Sequence, residues 1–344
     1  MFFRCHARDI QKIGNERTMR RQSPSAGMGE ETMRVVGCIW FASLALTAAQ
    51  ETKPVEVARL PSYTEGAVVD YDGNVFVSEP YGKTVTRITP EGDVSVWATM
   101  GGPNGHKILA DGTHLLCDAG RNAVFHMSPN GDVLEGTSEC DGKPVRAPND
   151  LTLDPAGGFY FTDPGPHPVA LEQSIGMICH VDAEGRTRVV ANELPFPNGI
   201  VLRPDGRHLL VSLSGTGQIV EFAVTEPGVV GEMNVFAERG SDGMALDEDG
   251  NLYVTGRGSD GAYVGVLDEN GELGKTYPVT MAFISNMVFG GPELSQLWVT
   301  GRFHPIDLTK PIPAQMAPET GNYGLVYRLD LEGVRGLPTL PPKQ

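Results

Sequence analysis

Six polar residues, Glu65, Asn104, Asn149, Asn198, Asp242 and Asn286, each open a segment of the same kind. The segments read EGAVVDYDG, NGHKILADG, NDLTLDPAG, NGIVLRPDG, DGMALDEDG and NMVFGGPEL. In most of them a glycine follows the polar residue, apolar residues alternate, and a tight-turn site closes the unit. The starts lie 39 to 49 residues apart, the period of four-stranded propeller blades. Blades are arranged radially around a channel, so one repeat position becomes a ring. Here that ring is two carboxylates and four carboxamides. The expected fold is all-β, a six-bladed β-propeller with four antiparallel strands per blade.

Each repeat divides into strand-like pieces, such as EGAVVDY, NVFVSEP, TVTRITP and VSVWATM in the first, with Asp72-Gly73 and Glu91-Gly92 as hairpin turns. The sixth repeat supplies NMVFGG, QLWVTG and GLVYRLDL but lacks a good fourth strand, whereas VEVARL at residues 55–60 is spare. That strand is expected to complete the last blade, closing the circle and removing exposed strand edges. Two second-to-third connections, residues 163–176 and 301–322, are long enough to overhang the ring, and long loops of this kind are commonly functional.

The propeller is expected to span residues 50–336, ahead of a Pro-rich tail at 337–344. From Met33 the sequence MRVVGCIWFASLALTAAQ has the basic, apolar and small-residue parts of a secretory signal, with cleavage after Ala49. Residues 1–49 are therefore set apart as leader and signal, and the mature protein is expected to be exported, periplasmic or secreted. The formal charge is −16, and because residues 1–49 hold seven Arg/Lys against four Asp/Glu, residues 50–344 carry about −19. That balance argues against nucleic acid or an anionic membrane as partner, since phosphate would be repelled. It permits a cation or a small neutral substrate. Cys117, Cys140 and Cys179 remain after cleavage; buried small hydrophobes are their expected role, with a bridge at Cys140 left open.

An oxygen-rich ring suits a hard cation. Ca²⁺ takes six to eight oxygen ligands, carboxylates, carboxamides and water among them, and oxygen ligands also accept Zn²⁺, Mg²⁺ or Mn²⁺. No phosphate loop, zinc signature or dinucleotide fingerprint is present, and no GxSxG nucleophile elbow. Ester hydrolysis by a metal-activated water is compatible with that set of absences.

Glu65 in EGAVVD, Asn149 in APNDLTLD, Asn198 in LPFPNGI and Asp242 in SDGMALDEDGNLYV resemble, in that order, the calcium ligands of the gluconolactonase family, which includes regucalcin (senescence marker protein). The similarity covers residues 55–335. It implies a six-bladed calcium-dependent lactonase whose metal is held by Glu65, Asn149, Asn198 and Asp242, with Asp242 also the general base. The expected partner is then a small-molecule lactone. Asn104 and Asn286 share the ring position but fall outside that ligand set, which leaves them to substrate or metal-bound water. Asp150 is placed to orient Asn149 from behind. His106, two residues after Asn104 on one strand, should face the channel. His167 and His304 lie in the two long loops; like His106 they are candidates to shuttle protons or contact sugar hydroxyls, and Arg146, shortly before Asn149, is a candidate for a substrate oxygen. Diisopropyl fluorophosphatase resembles the same four-ligand pattern, so a phosphotriesterase-like hydrolase and a non-catalytic sugar- or partner-binding propeller stand as alternatives.

Overall fold

The computed structural model describes residues 52–166, 170–303 and 323–337, and among them it contains strands and turns but no helix. Strand β1 (Val55–Leu60) comes first and is followed by blade 1: β2 (Glu65–Val69), β3 (Val75–Glu79), β4 (Thr84–Ile88) and β5 (Val94–Thr99). Blade 2 is β6 (Pro103–Ile108), β7 (His114–Asp118), β8 (Ala123–Met127) and β9 (Val133–Thr137). A small hairpin, β10 (Glu139–Cys140) with β11 (Lys143–Pro144), interrupts the passage to blade 3. Blade 3 is β12 (Leu151–Leu153), β13 (Phe159–Asp163), β14 (Ser174–Val181) and β15 (Thr187–Pro195). Blade 4 is β16 (Pro197–Leu202), β17 (His208–Leu213), β18 (Gln218–Glu226) and β19 (Val229–Ala237). Blade 5 is β20 (Met244–Leu246), β21 (Leu252–Gly258), β22 (Gly261–Leu267) and β23 (Leu273–Val279). Blade 6 is β24 (Phe283–Gly290), β25 (Gln296–Arg302), β26 (Gly324–Asp330) and, at its outer edge, β1.

The last pairing meets the expectation for VEVARL: Ala58 lies opposite Val326 and Leu60 opposite Gly324 in an antiparallel ladder. Turn chemistry sets the hairpins. Between β2 and β3 the Asp70 carboxylate accepts the N–H groups of Asp72 and Asn74 at 2.9 and 2.8 Å, and Gly73 takes a φ of 82° that a side chain would resist.

The core lies between blades. Along β7, Leu115 packs toward blade 3 with Leu151 and Phe161, and Leu116 packs toward blade 1 with Val68 and Phe76. Successive residues of a strand point to opposite faces, so each sheet offers both faces to its neighbours. The same division recurs at every junction, through Ile178 and Ile200, Leu210 and Val254, and Tyr253 and Phe289, to Val288 and Val77, where blade 6 meets blade 1. Six such junctions close a circle, and the described residues form a six-bladed propeller. Cys140 and Cys179 form a disulfide that ties the β10–β11 hairpin to β14, while Cys117 stays free and buried. The bridge left open at Cys140 is thus formed, with Cys179 as its partner, and the expected role as a buried small hydrophobe holds for Cys117.

Candidate functional site

Each blade begins at the channel with a ring residue, and a close approach of backbones sets its neighbour. A methyl group on Gly66 would overlap the carbonyl of Asn104, and one on Gly199 would overlap the carbonyl of Asp242 in the next blade. This is the physical reason for glycine after most ring residues. Hydroxyls fasten the same seam: Thr162 donates to the Asn198 carbonyl at 2.7 Å, and Ser285 to the Thr64 carbonyl at 2.6 Å. The pairing register shifts beside the ring residue in β2, β6, β16 and β24. Such a bulge inserts one residue and re-aims the side chains beyond it.

Glu65 and Asp242 are the ring's carboxylates. Glu65 is buried and accepts a 2.6 Å hydrogen bond from the Tyr63 hydroxyl. Burial pushes its pKa well above the usual carboxylate range, and the charge of Asp242 adds to that. Burial likewise pushes Asp242 up to about 7, against the hydrogen bond it accepts from Asn198. The charge of Asp150 adds to the rise of Asp242, so a buried and a half-buried carboxylate, both pushed toward protonation, stand in want of a cation.

The carboxamides divide into two sets. Asn198 donates through Nδ2 to Ser214 Oγ at 3.2 Å, and its Oδ1 is buried with no hydrogen-bond partner. Asn104 Oδ1 is buried and unpartnered too. Buried polar oxygens are nearly always satisfied, so these two orphans mark where a missing group would be received. Asn286, by contrast, is used internally: its Oδ1 accepts Met287 N–H at 2.8 Å and its amide meets Asp150. Asn149 is half-buried; its backbone joins blades, donating to Thr162 O at 2.8 Å and accepting from Gly105 N–H at 2.7 Å. Among the described residues no three His, Cys, Asp or Glu side chains gather as a metal cluster, as follows where much of the donor set is carboxamide. Two carboxylates with unpartnered carboxamide oxygens fit a hard divalent ion.

Several residues sit differently from the sequence expectation. His106 does not face the channel. It is fully buried, 2.8 Å from His114 Nδ1 through Nε2, and packs against Phe76 and Trp97 between blades 1 and 2. The bulge between Pro103 and His106 breaks the alternation, so Lys107 takes the channel side and acts on Asp150. Asp150 does not brace the Asn149 side chain. It accepts N–H groups from Leu151 and Ile200 and the Asn286 amide, bridging blades 3, 4 and 6. Arg146 donates to the Ile175 carbonyl at 2.6 Å and lies 3.8 Å from Asp163, which places it in the loop wall. His167 and His304 fall outside the described residues.

Sequence reading missed Tyr63, Lys107 and Arg302. Tyr63 stands two residues before Glu65, and Lys107 follows the Asn-Gly bulge, so both carried a local signal. A cavity of about 440 Å³ opens beside Asn198 and Asp242 and is walled by Thr255, Tyr263, Phe283 and Arg257. That size is ordinary for a small-molecule site.

The fold is a six-bladed β-propeller whose inner strands begin with carboxylates and carboxamides, two of the latter with unpartnered oxygens. Residues 63–302 match the family described as SMP-30/Gluconolactonase/LRE-like region, and the chain belongs to that family. A gluconolactonase of Zymomonas mobilis is 26% identical over 261 residues, covering 63% of this chain and 73% of the relative. Lactonase drp35 of Staphylococcus aureus is 25% identical over 215 residues, 58% of this chain and 65% of the relative, just under two thirds of that protein's length. A gluconolactonase structure from Xanthomonas campestris superposes with a TM-score of 0.67 at 23% identity, covering 81% of this chain and 90% of that one. A regucalcin from Agrobacterium tumefaciens, titled a calcium-binding protein, superposes with a TM-score of 0.66 at 22% identity over 82% of this chain and 96% of that one.

Proposed function

We propose that this chain is a calcium-dependent lactone hydrolase, with the ion held by Glu65, Asn149, Asn198 and Asp242. The observation that carries the reading is the pairing of buried Glu65 with half-buried Asp242 beside the unpartnered Oδ1 of Asn198, in a family whose named relatives include a gluconolactonase and a lactonase. A bound divalent cation would polarise the lactone carbonyl and lower the pKa of a nearby water. The Tyr63 hydroxyl fixes Glu65, and Ser214 turns the Asn198 amide so that Oδ1 is presented to the site. Asp242 takes a proton from the attacking water and returns it to the ring oxygen as the ester bond breaks, giving the hydroxy acid. Asn104, whose Oδ1 is also unpartnered, is left to hold substrate.

The Cys140–Cys179 disulfide supports an oxidising compartment, and with it export of the mature protein. Metal analysis of the purified protein, with a lactone panel run before and after chelation, tests the function. Chelation is expected to abolish hydrolysis and added Ca²⁺ to restore it. Asp242→Asn is expected to lower kcat by about 10²-fold or more. Hydrolysis that survives complete removal of metal would overturn the reading.

A further inference from the structure

Blades 5 and 6 repeat a short string at the channel end of their second strands: Val254-Thr255-Gly256-Arg257 in β21 and Val299-Thr300-Gly301-Arg302 in β25. The matching positions in blades 1 to 4 are Pro80, Ala119, Pro164 and Ser214, none of them charged. Both threonines are fastened to ring residues. Thr255 Oγ1 accepts the N–H of Asp242 at 2.8 Å, and Thr300 Oγ1 donates to the carbonyl of Asn286 at 3.2 Å. Each arginine therefore follows, two residues on, a threonine anchored at the ring.

Arg302 is only 5% exposed, yet its Nε and Nη1 make no hydrogen bond. Its guanidinium lies over the rings of Tyr63 at 5.4 Å and Phe283 at 4.9 Å. Burial lowers its pKa, and the charges of Asp242 and Glu65 act on it without pairing with it. Phe283 also lines the cavity that holds Asp242, and there Arg239 and Arg257 join it, with Arg239 donating to the Tyr263 hydroxyl at 3.5 Å. Two guanidinium groups thus line the cavity beside Asp242, and a third, Arg302, packs against Phe283 of its wall, in a fold segment whose formal charge is about −19.

A cation bound at Glu65 and Asp242 would neutralise both carboxylates and leave these arginines uncompensated. A simple lactone is neutral and offers these guanidinium groups only uncharged oxygens, whereas an anion would supply the charge-assisted hydrogen bonds that arginine makes best. We infer that the substrate is a lactone carrying a second acidic group, a carboxylate or a phosphate, received by Arg239 and Arg257 in the cavity, with the charge of Arg302 behind Phe283 adding to the attraction. The reacting group in this inference rests on the lactonase reading, while the anion site rests on the arginines alone.

The test uses the full chain loaded with Ca²⁺ and three lactones of matched ring size: a neutral aldonolactone, an aldarolactone with a free carboxylate, and a phosphorylated aldonolactone. One of the acidic lactones is expected to exceed the neutral one in kcat/KM by about tenfold or more, equivalent to about 1.4 kcal/mol. Which of the two does so names the anion. That preference should fall by roughly fivefold or more in Arg302→Met and in Arg257→Gln, since each removes a charge partner. Should Arg302→Met fail to fold, the exposed Arg257 carries the comparison. A wild-type protein that favours neither acidic lactone, or a preference that survives both substitutions, overturns the inference while leaving lactone hydrolysis intact. If no lactone is hydrolysed, the lactonase reading falls and calorimetry decides the anion site by itself. Tighter binding of an open-chain aldarate or a phosphorylated aldonate than of an aldonate, lost in Arg257→Gln, supports it, and equal binding overturns it.

Discussion

Glu65 and Asp242 hold their protons more tightly in the folded chain than out of it, because burial disfavours their charged forms and a neighbouring carboxylate, Asp242 for Glu65 and Asp150 for Asp242, adds to it. For an acid whose folded pKa is raised, the stabilising contribution is present at low pH and is lost as pH climbs from the unfolded value near 4 toward the folded one, about 7 for Asp242. A cation competes with those same protons. The metal-free protein is therefore expected to lose stability between about pH 4 and 7. The rise in Tm on adding Ca²⁺ is expected to be large at pH 8 and small at pH 5. Thermal melts with and without Ca²⁺ across that range check both statements, and a calcium shift indifferent to pH would remove these carboxylates from the metal site. The acidic and amide ring residues were legible from the repeat alone, because ring position and residue type travel together. Arg302 was not, since its meaning depends on Tyr63 and Phe283, far from it in the chain or on another strand.

Within an element, one extra residue decides what a strand presents. The bulge in β6 moves His106 from the channel into the seam beside His114 and gives its place to Lys107. Simple alternation could not foresee this, although the Asn104-Gly105 dipeptide at the start of the strand was its trace. The glycine itself is a packing requirement that can be tested. A methyl at Gly199 would overlap the Asp242 carbonyl, whereas one at Gly231 on the outer strand β19 meets nothing nearer than the Ala223 carbonyl at 3.7 Å. Gly199→Ala is expected to cost roughly 1–3 kcal/mol through overpacking and to weaken Ca²⁺ binding as Asp242 is displaced. Gly231→Ala should stay within about 0.5 kcal/mol of wild type. Denaturant titration of both variants makes the comparison, and equal costs would mean that ring spacing does not depend on the glycines.

Closure is the property of the whole molecule. Neighbouring blades share each core, so the circle is stable only if blade 6 meets blade 1 as firmly as the others meet one another. The spare strand before the first repeat revealed the closing device in the sequence. The partner of Cys140 was not visible there, because the β10–β11 hairpin that carries it lies between repeats and follows no period. The 39-residue separation of Cys140 and Cys179 makes reduction expected to cost up to about 4 kcal/mol by loss of the constraint on the unfolded chain, read as a lower denaturation midpoint in reductant. Strand β1 does a different task. Leu60 is buried with Val77 and Val326, Arg59 donates to the Tyr323 hydroxyl at 2.7 Å, and β1 covers the hydrogen-bonding edge of β26. A chain shortened to begin after Leu60 keeps every ring residue but bares that edge, the kind of surface that recruits another strand. It should melt at a lower temperature and self-associate with rising concentration, as followed by light scattering. If the shortened chain stays monomeric and melts with the full one, the ladder between Val55–Leu60 and Gly324–Asp330 is not what holds the circle shut.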